Sequence, residues 1–491
     1  MEESKEQLRQ SRLTKLISLG DSVSIGKIIR MTVSLSVPSI MAQLAVTAME
    51  YIDASMVGHI GSNAAASIGL VTTTTWLFMG LCSAAAMGFS VQVAHLLGGR
   101  KVSEARSVTR QAILINLIYS IVVALIGIGI SPYLPGWLGG TEAINENASK
   151  YFLIFALAIP VMQCNFLANG LLRSTGNMLI PGVLGVVMCV LDVVFNFFLI
   201  FPSRELFIFG INLNIPGFGF GVWGAALGTA LAELTITVIL IAYIFWGKTE
   251  IRLAGSRSEF KPSFATVRKA AVIGFPLGIE RFINSAAQIT LTIIVAPLGA
   301  AAIAANAFAI TIEGLCYMPG YGISDAATTL TGQSLGASKF RLTHRFAWTA
   351  TFMGMAIMAI MGIFIYFASP LLMSIMTEDK QIVDLGVMAL RIEAWAEPMY
   401  AASIVVYGVC VGAGDTLWPS IMNLGSMWGV RITLAAILAP IMGLKGVWLA
   451  MCIELCFRGL IFLIRLKSDR WMKAFDKLKL MKKKEELSFQ Q

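Results

Sequence analysis

Twelve apolar runs follow one another along the chain, each about 20 residues or more, long enough to cross a bilayer as a helix. They fall near 31–57, 64–97, 110–131, 151–172, 178–201, 219–246, 270–297, 301–334, 346–370, 386–411, 418–440 and 444–466, and are numbered here as spans 1 to 12. Of the stretches between them, those at 131–150 and 202–218 carry few basic residues, and 247–269, rich in Lys, Arg and Ser, reads as the linker. Backbone-special residues recur at a constant offset of 238 positions. Pro38 pairs with Pro276, Gly61 with Gly299, Leu97-Gly98 with Leu335-Gly336, Pro160 with Pro398, Gly170 with Gly408, Gly176 with Gly414 and Pro181 with Pro419. Such an offset marks two copies of one unit. Each copy has six spans, an even number, so both start on the same side and the repeat is parallel, about an axis along the membrane normal. The expected fold is all-α and integral to the membrane, with twelve transmembrane helices in two six-helix bundles around a central cavity. The expected division is 1–30 as a cytoplasmic amphipathic segment on the inner leaflet, 31–246 as the first lobe and 247–269 as a cytoplasmic linker, then 270–466 as the second lobe and 467–491 as a basic cytoplasmic tail.

Composition agrees with this pattern. Of 491 residues 57% are hydrophobic and 13% charged, with mean hydropathy +0.76, which excludes an ordinary soluble enzyme. The net charge of +9 is explained by its placement. Of the 37 Lys and Arg, 29 lie in 1–30, in 98–110, at Arg173, in 247–269, in 339–345 or after 464, all on one side of the twelve-span layout. Lys150, Arg204, Lys380, Arg391 and Lys445 fall on the other side, and Arg281, Arg431 and Arg458 within spans. That asymmetry places both termini in the cytoplasm of a multi-pass cell-membrane protein. Nucleic acid is not needed as a partner, and no cleavable leader is indicated. The seven cysteines lie in or beside apolar runs and read as small core residues. His59, His95 and His344 have no ligand-spaced neighbour, and no HExxH or GxSxG motif points to an enzyme.

The chemistry lies in polar residues that interrupt the apolar runs. A carboxylate inside a span is costly and by default marks a functional site. Glu50 and Asp53 sit three apart on one face of span 1. Asp192 and Asn196 form an i, i+4 pair in span 5, and Thr229 of span 6 can add a hydroxyl. These oxygens suit a proton relay or a Na⁺ position; the plainer alternatives are an acid pair wetted at the outer mouth and a structural hydrogen bond between helices. In the second copy Glu280 lies one turn before Asn284, and Glu313 follows Asn306 by two turns. With Gln43 of span 1 and Arg281, they are candidates for a substrate cavity or a second-lobe site. The competing possibility is a charge-pairing set with Arg281 and Arg431 that locks the second bundle. Glu393 and Glu397, before Pro398, read as positions near the outer mouth, and Arg458 as one near the cytoplasmic edge.

Four stretches together resemble the multidrug and toxic compound extrusion (MATE) family, within the superfamily that also holds lipid-linked oligosaccharide flippases. They are DASMVGHIG from Asp53 to Gly61, GVWGAA from Gly221 to Ala226, GQSLG from Gly332 to Gly336 and GAGDTLWP from Gly412 to Pro419. The resemblance spans 31–466 and implies a V-shaped pair of lobes. It implies a secondary antiporter that exports amphipathic, often cationic drugs or metabolites, driven by inward H⁺ or Na⁺. It also implies that Asp53 is the coupling acid of span 1. The family pairs an Asn and an Asp four apart in span 5 with a Thr in span 6; here the order is swapped, Asp192 then Asn196, and Thr229 matches. A span 7 acid of one family branch falls at Asn284, which is not acidic; Glu280 lies one turn away. The expected protein is a monomer in the lipid bilayer. It needs no cofactor beyond the coupling ion and no metal beyond Na⁺ held by Asp53, Asp192, Asn196 and Thr229. The main alternative is a flippase for a lipid-linked precursor, which would need several intramembrane cations; only Arg281, Arg431 and Arg458 are available.

Overall fold

The computed structural model describes residues 12–208, 211–255 and 263–488. Within them the twelve spans are helices. The first copy comprises span 1 (Ile25–Gly58), span 2 (Ser62–Gly98), span 3 (Val102–Ile130), span 4 (Glu142–Ser174), span 5 (Leu179–Leu199) and span 6 (Val222–Trp246). The second comprises span 7 (Phe264–Val295), span 8 (Ala300–Gly336), span 9 (Phe340–Met376), span 10 (Lys380–Glu393 and Glu397–Ala413), span 11 (Leu417–Met442) and span 12 (Leu444–Lys467). Span 10 is not the continuous helix its apolar pattern predicts. It bends by 59° between Glu393 and Glu397. Pro398 cannot supply an N–H to a continuing helix but fits the first turn of a new one.

Within each copy the spans pack on one another, and three pairs make the largest contacts between copies: span 1 on span 8, span 7 on span 2, and span 2 on span 8. The offset of 238 exchanges the first two pairs and maps the third onto itself, as a two-fold axis along the membrane normal requires. The reciprocity reaches single atoms. A Cβ on Gly98 would meet the Gln333 carbonyl, and a Cβ on Gly336 would meet the carbonyl of His95, the repeat image of Gln333. Only glycine lets these two helix ends cross so closely.

This crossing lies on the face that carries both chain ends. Cross-lobe hydrogen bonds among the described residues concentrate there. Arg173 pairs with Asp325 at 2.6 Å, Gln333 donates to the Ser174 carbonyl at 2.7 Å, and His95 donates to the Gly412 carbonyl at 2.8 Å. Tyr51, donating to the Thr311 carbonyl at 2.8 Å, is the cross-lobe bond farthest from that face. The cross-lobe bonds among the described residues thus seal one end of the seam and thin out toward the other.

Several predicted loops are tighter than their polarity implies. The basic stretch 98–110 is a turn at 99–101 followed by span 3, whose first turns carry Arg106 and Arg110; Lys339 likewise leads straight into span 9. A charged helix end outside the bilayer is solvated, so apolar runs underestimate helix length. The 202–218 connection is an antiparallel hairpin, Pro202–Ile208 with Ile211–Phe218. In the linker Ile251 and Leu253 are buried and Arg106 donates to the Glu250 carbonyl at 3.0 Å; 256–262 lie outside the described residues.

The N-terminal segment does not behave as its charge pattern predicts. In the helix Arg12–Ser18, Leu13 and Ile17 bury their side chains against Met178 and spans 8 and 9, so the apolar stripe meets protein and not the leaflet; residues 1–11 lie outside the described residues. The basic tail continues as a helix, Lys473–Ser488, anchored by Trp471, which is fully buried. Phe475 meets the His95 ring edge-on at 4.9 Å and Leu478 covers Gly414, so this helix wedges into the sealed seam.

Candidate functional site

In the first lobe the predicted polar residues converge. The Asn196 side-chain amide donates to Asp53 Oδ1 at 2.7 Å and to Asp192 Oδ2 at 3.1 Å, bridging span 1 and span 5. Asp192 and Asn196 are fully buried, while Asp53 is half-buried. The two carboxylates abut directly. Thr229 lies beside Asp192, its hydroxyl also donating to the Ala225 carbonyl at 3.2 Å. Gly228 makes this possible, because a Cβ there would stand 2.0 Å from Asn196 Oδ1. That oxygen and Asp192 Oδ1 have no hydrogen-bond partner. No ion pair reaches either aspartate among the described residues. Two carboxylates held together away from water, with no basic side chain, reach neutrality only with a bound proton or cation. Glu50 stays outside the cluster and is exposed.

In the second lobe the predicted residues separate. Glu280 of span 7 accepts from Tyr407 Oη at 2.5 Å, Ser420 Oγ at 2.6 Å and Asn423 Nδ2 at 2.8 Å, tying span 7 to spans 10 and 11. Three neutral donors fill it, and Arg281 is not its partner. Asn284 is half-buried and outside that set. Glu313 lies beside Glu393, with Arg431 and Arg458 close by. Glu393 and Glu397 do not sit at the outer mouth; they are 1% and 0% exposed at the bend of span 10. Asn306 accepts from the Trp448 indole at 3.0 Å, a packing role. Arg458 is not at the cytoplasmic edge either: Glu454, fully buried, holds it two-pronged at 2.9 and 3.0 Å. Gln43 does not join Glu280 or Glu313; it donates to Asp325 Oδ2 at 3.2 Å, beside Ser39 at 2.9 Å, in the cross-lobe network with Arg173.

A family model described as MatE matches residues 38–198 and again 276–437, one match in each copy. The chain belongs to the MATE family. A curated MATE relative from Thermotoga maritima, described as a probable multidrug resistance protein NorM, is 24% identical over 432 residues, covering 86% of this chain and 88% of its own. A protein of the same description from Idiomarina loihiensis is 24% identical over 440 residues, covering 88% and 92%. Among solved structures, the outward-facing conformation of a multidrug resistance MATE transporter superposes with a TM-score of 0.81 at 20% identity, covering 96% of this chain and 99% of that one. A Vibrio cholerae MATE transporter gives 0.82 at 16%, covering 92% and 99%. At these identities the structures establish the fold alone.

Three acids of this MATE chain, two of them buried, escaped the sequence reading. Glu233 of span 6 lies one turn beyond Thr229, buried, with Oε2 unpartnered. Asp325 of span 8 is the hub of the cross-lobe network, and Glu454 of span 12 neutralises Arg458. Each is an acid within an apolar run, so the criterion that selected Asp53 selects them too when applied to every span.

Proposed function

We propose that this protein is a secondary antiporter that exports amphipathic, often cationic compounds, driven by inward H⁺ or Na⁺ bound at the Asp53–Asn196–Asp192 cluster. One observation carries the reading: two aspartates from different helices share a single amide, and no ion pair among the described residues balances them. The cluster needs a cation, and an ion gradient can supply one. The lysine and arginine asymmetry makes the sealed face cytoplasmic, so the cleft is open outward. In that state an ion entering from outside reaches Asp53, neutralises the pair and weakens the hold of the site on a cationic cargo. Linkage requires the converse, so cargo and ion weaken each other's binding. The descriptions of the NorM relatives support drugs as cargo. The flippase alternative is weakened by Arg458, whose charge Glu454 already cancels.

The test is efflux from proteoliposomes under an imposed pH gradient and, separately, an imposed Na⁺ gradient. Asp53→Asn should fall to the leak rate under both while remaining inserted and monodisperse. Export against a gradient by Asp53→Asn would refute the coupling role.

A further inference from the structure

Glu233 is a buried acid that the coupling scheme leaves idle. It stands on span 6 one turn beyond Thr229, with Thr237 a further turn on, so the three side chains share one face. Glu233 is 8% exposed, its Oε2 has no partner, and no ion pair reaches it among the described residues. The Asp192 carboxylate of span 5 is its charged neighbour, and the Cys82 thiol of span 2 faces it, with Tyr119 of span 3 beside Cys82. Asp53 of span 1 and Tyr151 of span 4 stand with Asp192. None of these neighbours is basic.

From Thr237 the polar groups continue on span 4. Asn165 donates to the Thr237 hydroxyl at 3.2 Å, and Asn169 donates to Asn165 Oδ1 at 2.6 Å. Arg173, one turn beyond Asn169, pairs with Asp325 across the seam. Spans 4 and 6 run in the same direction, and span 4 ends at Ser174 in the sealed seam. Thr229, Glu233, Thr237, Asn165, Asn169 and Arg173 therefore form a file from the ion cluster toward the sealed face. The second copy has no counterpart: the repeat images of Asn165, Asn169 and Arg173 are Ser403, Tyr407 and Val411.

An unpaired carboxyl inside a membrane bundle is costly, and packing alone gives no reason for one. A lone carboxylate lacks the several oxygens that a hard cation takes, so what it can bind is a proton. A proton that leaves the Asp192 carboxyl and arrives on the Glu233 carboxylate breaks no heavy-atom bond and leaves the total charge unchanged.

We propose that Glu233 is a further proton site of the first lobe, set inward of the Asp53–Asp192 pair, and that the file from Thr229 to Arg173 is the proton's route to the cytoplasmic side. The coupling ion is then H⁺, and it crosses within the first lobe while the cargo crosses between the lobes. This rests on the export reading and deepens it by naming the ion and its exit.

The test has two arms. Infrared difference spectra of the purified full chain, recorded between acidic and alkaline buffer, read carboxyl protonation without transport. Glu233→Gln, equal in size, should lose one carboxyl band relative to wild type, and Thr237→Val should keep it. In proteoliposomes, an imposed pH gradient should drive tetraphenylphosphonium efflux by wild type. Glu233→Gln should slow that efflux about tenfold or more, as loss of a proton-transferring group does, and Thr237→Val should slow it severalfold, both remaining inserted. The proposal is overturned if the Glu233→Gln spectrum matches wild type, or if either variant exports at the wild-type rate. Efflux driven by a Na⁺ gradient alone also sinks the proton route, and leaves the antiporter standing. A lost band with no wild-type efflux under either gradient does the reverse: the proton site survives and the antiporter does not.

Discussion

The two lobes share one scaffold and differ at the positions that hold charge. Asp53 of the first lobe has Leu291 as its repeat image, buried in the apolar core of the second. Asp192 maps into Met427–Ile432 of span 11, a π-helical segment where Val430 and Arg431 stand. An acid in one lobe thus corresponds to an apolar or basic residue in the other. The second lobe has more buried acids, but neutral donors fill Glu280, Arg458 holds Glu454, and Glu313 and Glu393 lie near Arg431 and Arg458. Duplication supplies symmetric packing; on the proposed reading the ion chemistry belongs to the first copy, where two aspartates share one amide and no ion pair reaches them among the described residues.

That contrast is open to attack in order of expected effect. The largest separation is between Asp53→Asn, which should abolish gradient-driven efflux, and Glu280→Gln, which should retain it because the amide oxygen still accepts from Tyr407 or Ser420. Equal losses in the two variants would erase the difference between the lobes. Next, Glu280→Ala strands three donors, of which Ser420 is buried and Tyr407 and Asn423 are half-buried. At about 1 kcal/mol for the buried one and less for the others, thermal unfolding in detergent should show a loss of about 2 kcal/mol, most of it recovered in Glu280→Gln. Third, Gly228→Ala places a methyl on Asn196 without touching a carboxylate. It should raise the ion concentration for half-maximal efflux about tenfold, the effect of one misplaced hydrogen bond to a charged group; an unchanged value would mean that Asn196 is not part of the ion site. The smallest effect is at Glu397, whose two oxygens lack donors. Glu397→Gln should unfold at an equal or higher temperature, gaining up to about 1 kcal/mol, because it removes an uncompensated buried acid.

Much of this was readable from the residue pattern, and the failures have physical causes. Span number and the repeat follow from apolar length and from prolines and glycines, which act locally. Asp53, Asp192 and Asn196 stood out because a polar residue is rare in a span, although nothing in the spacing says that helices 1 and 5 meet. Pairing was beyond reach: Glu280 and Arg281 are neighbours in sequence, yet one is satisfied from spans 10 and 11 and the other turns to span 2. Glu393 and Glu397 looked peripheral because the bend of span 10 that buries them is set by packing around Pro398. The packing of the chain ends was hidden for a different reason. Charge pattern identifies an amphipathic segment but not its apolar partner, and Leu13, Ile17, Trp471 and Phe475 found protein where lipid or water was expected.

The short helix after span 12 has a consequence for the pace of the whole cycle. On the proposed export reading, Phe475 would have to leave His95 of the first lobe before the sealed ends part, so a side chain outside the bilayer would act as a latch on movements of the twelve helices. A bulky fusion or a proteolytic nick just beyond Lys467 would then alter turnover while leaving the ion site and the cargo cleft chemically intact.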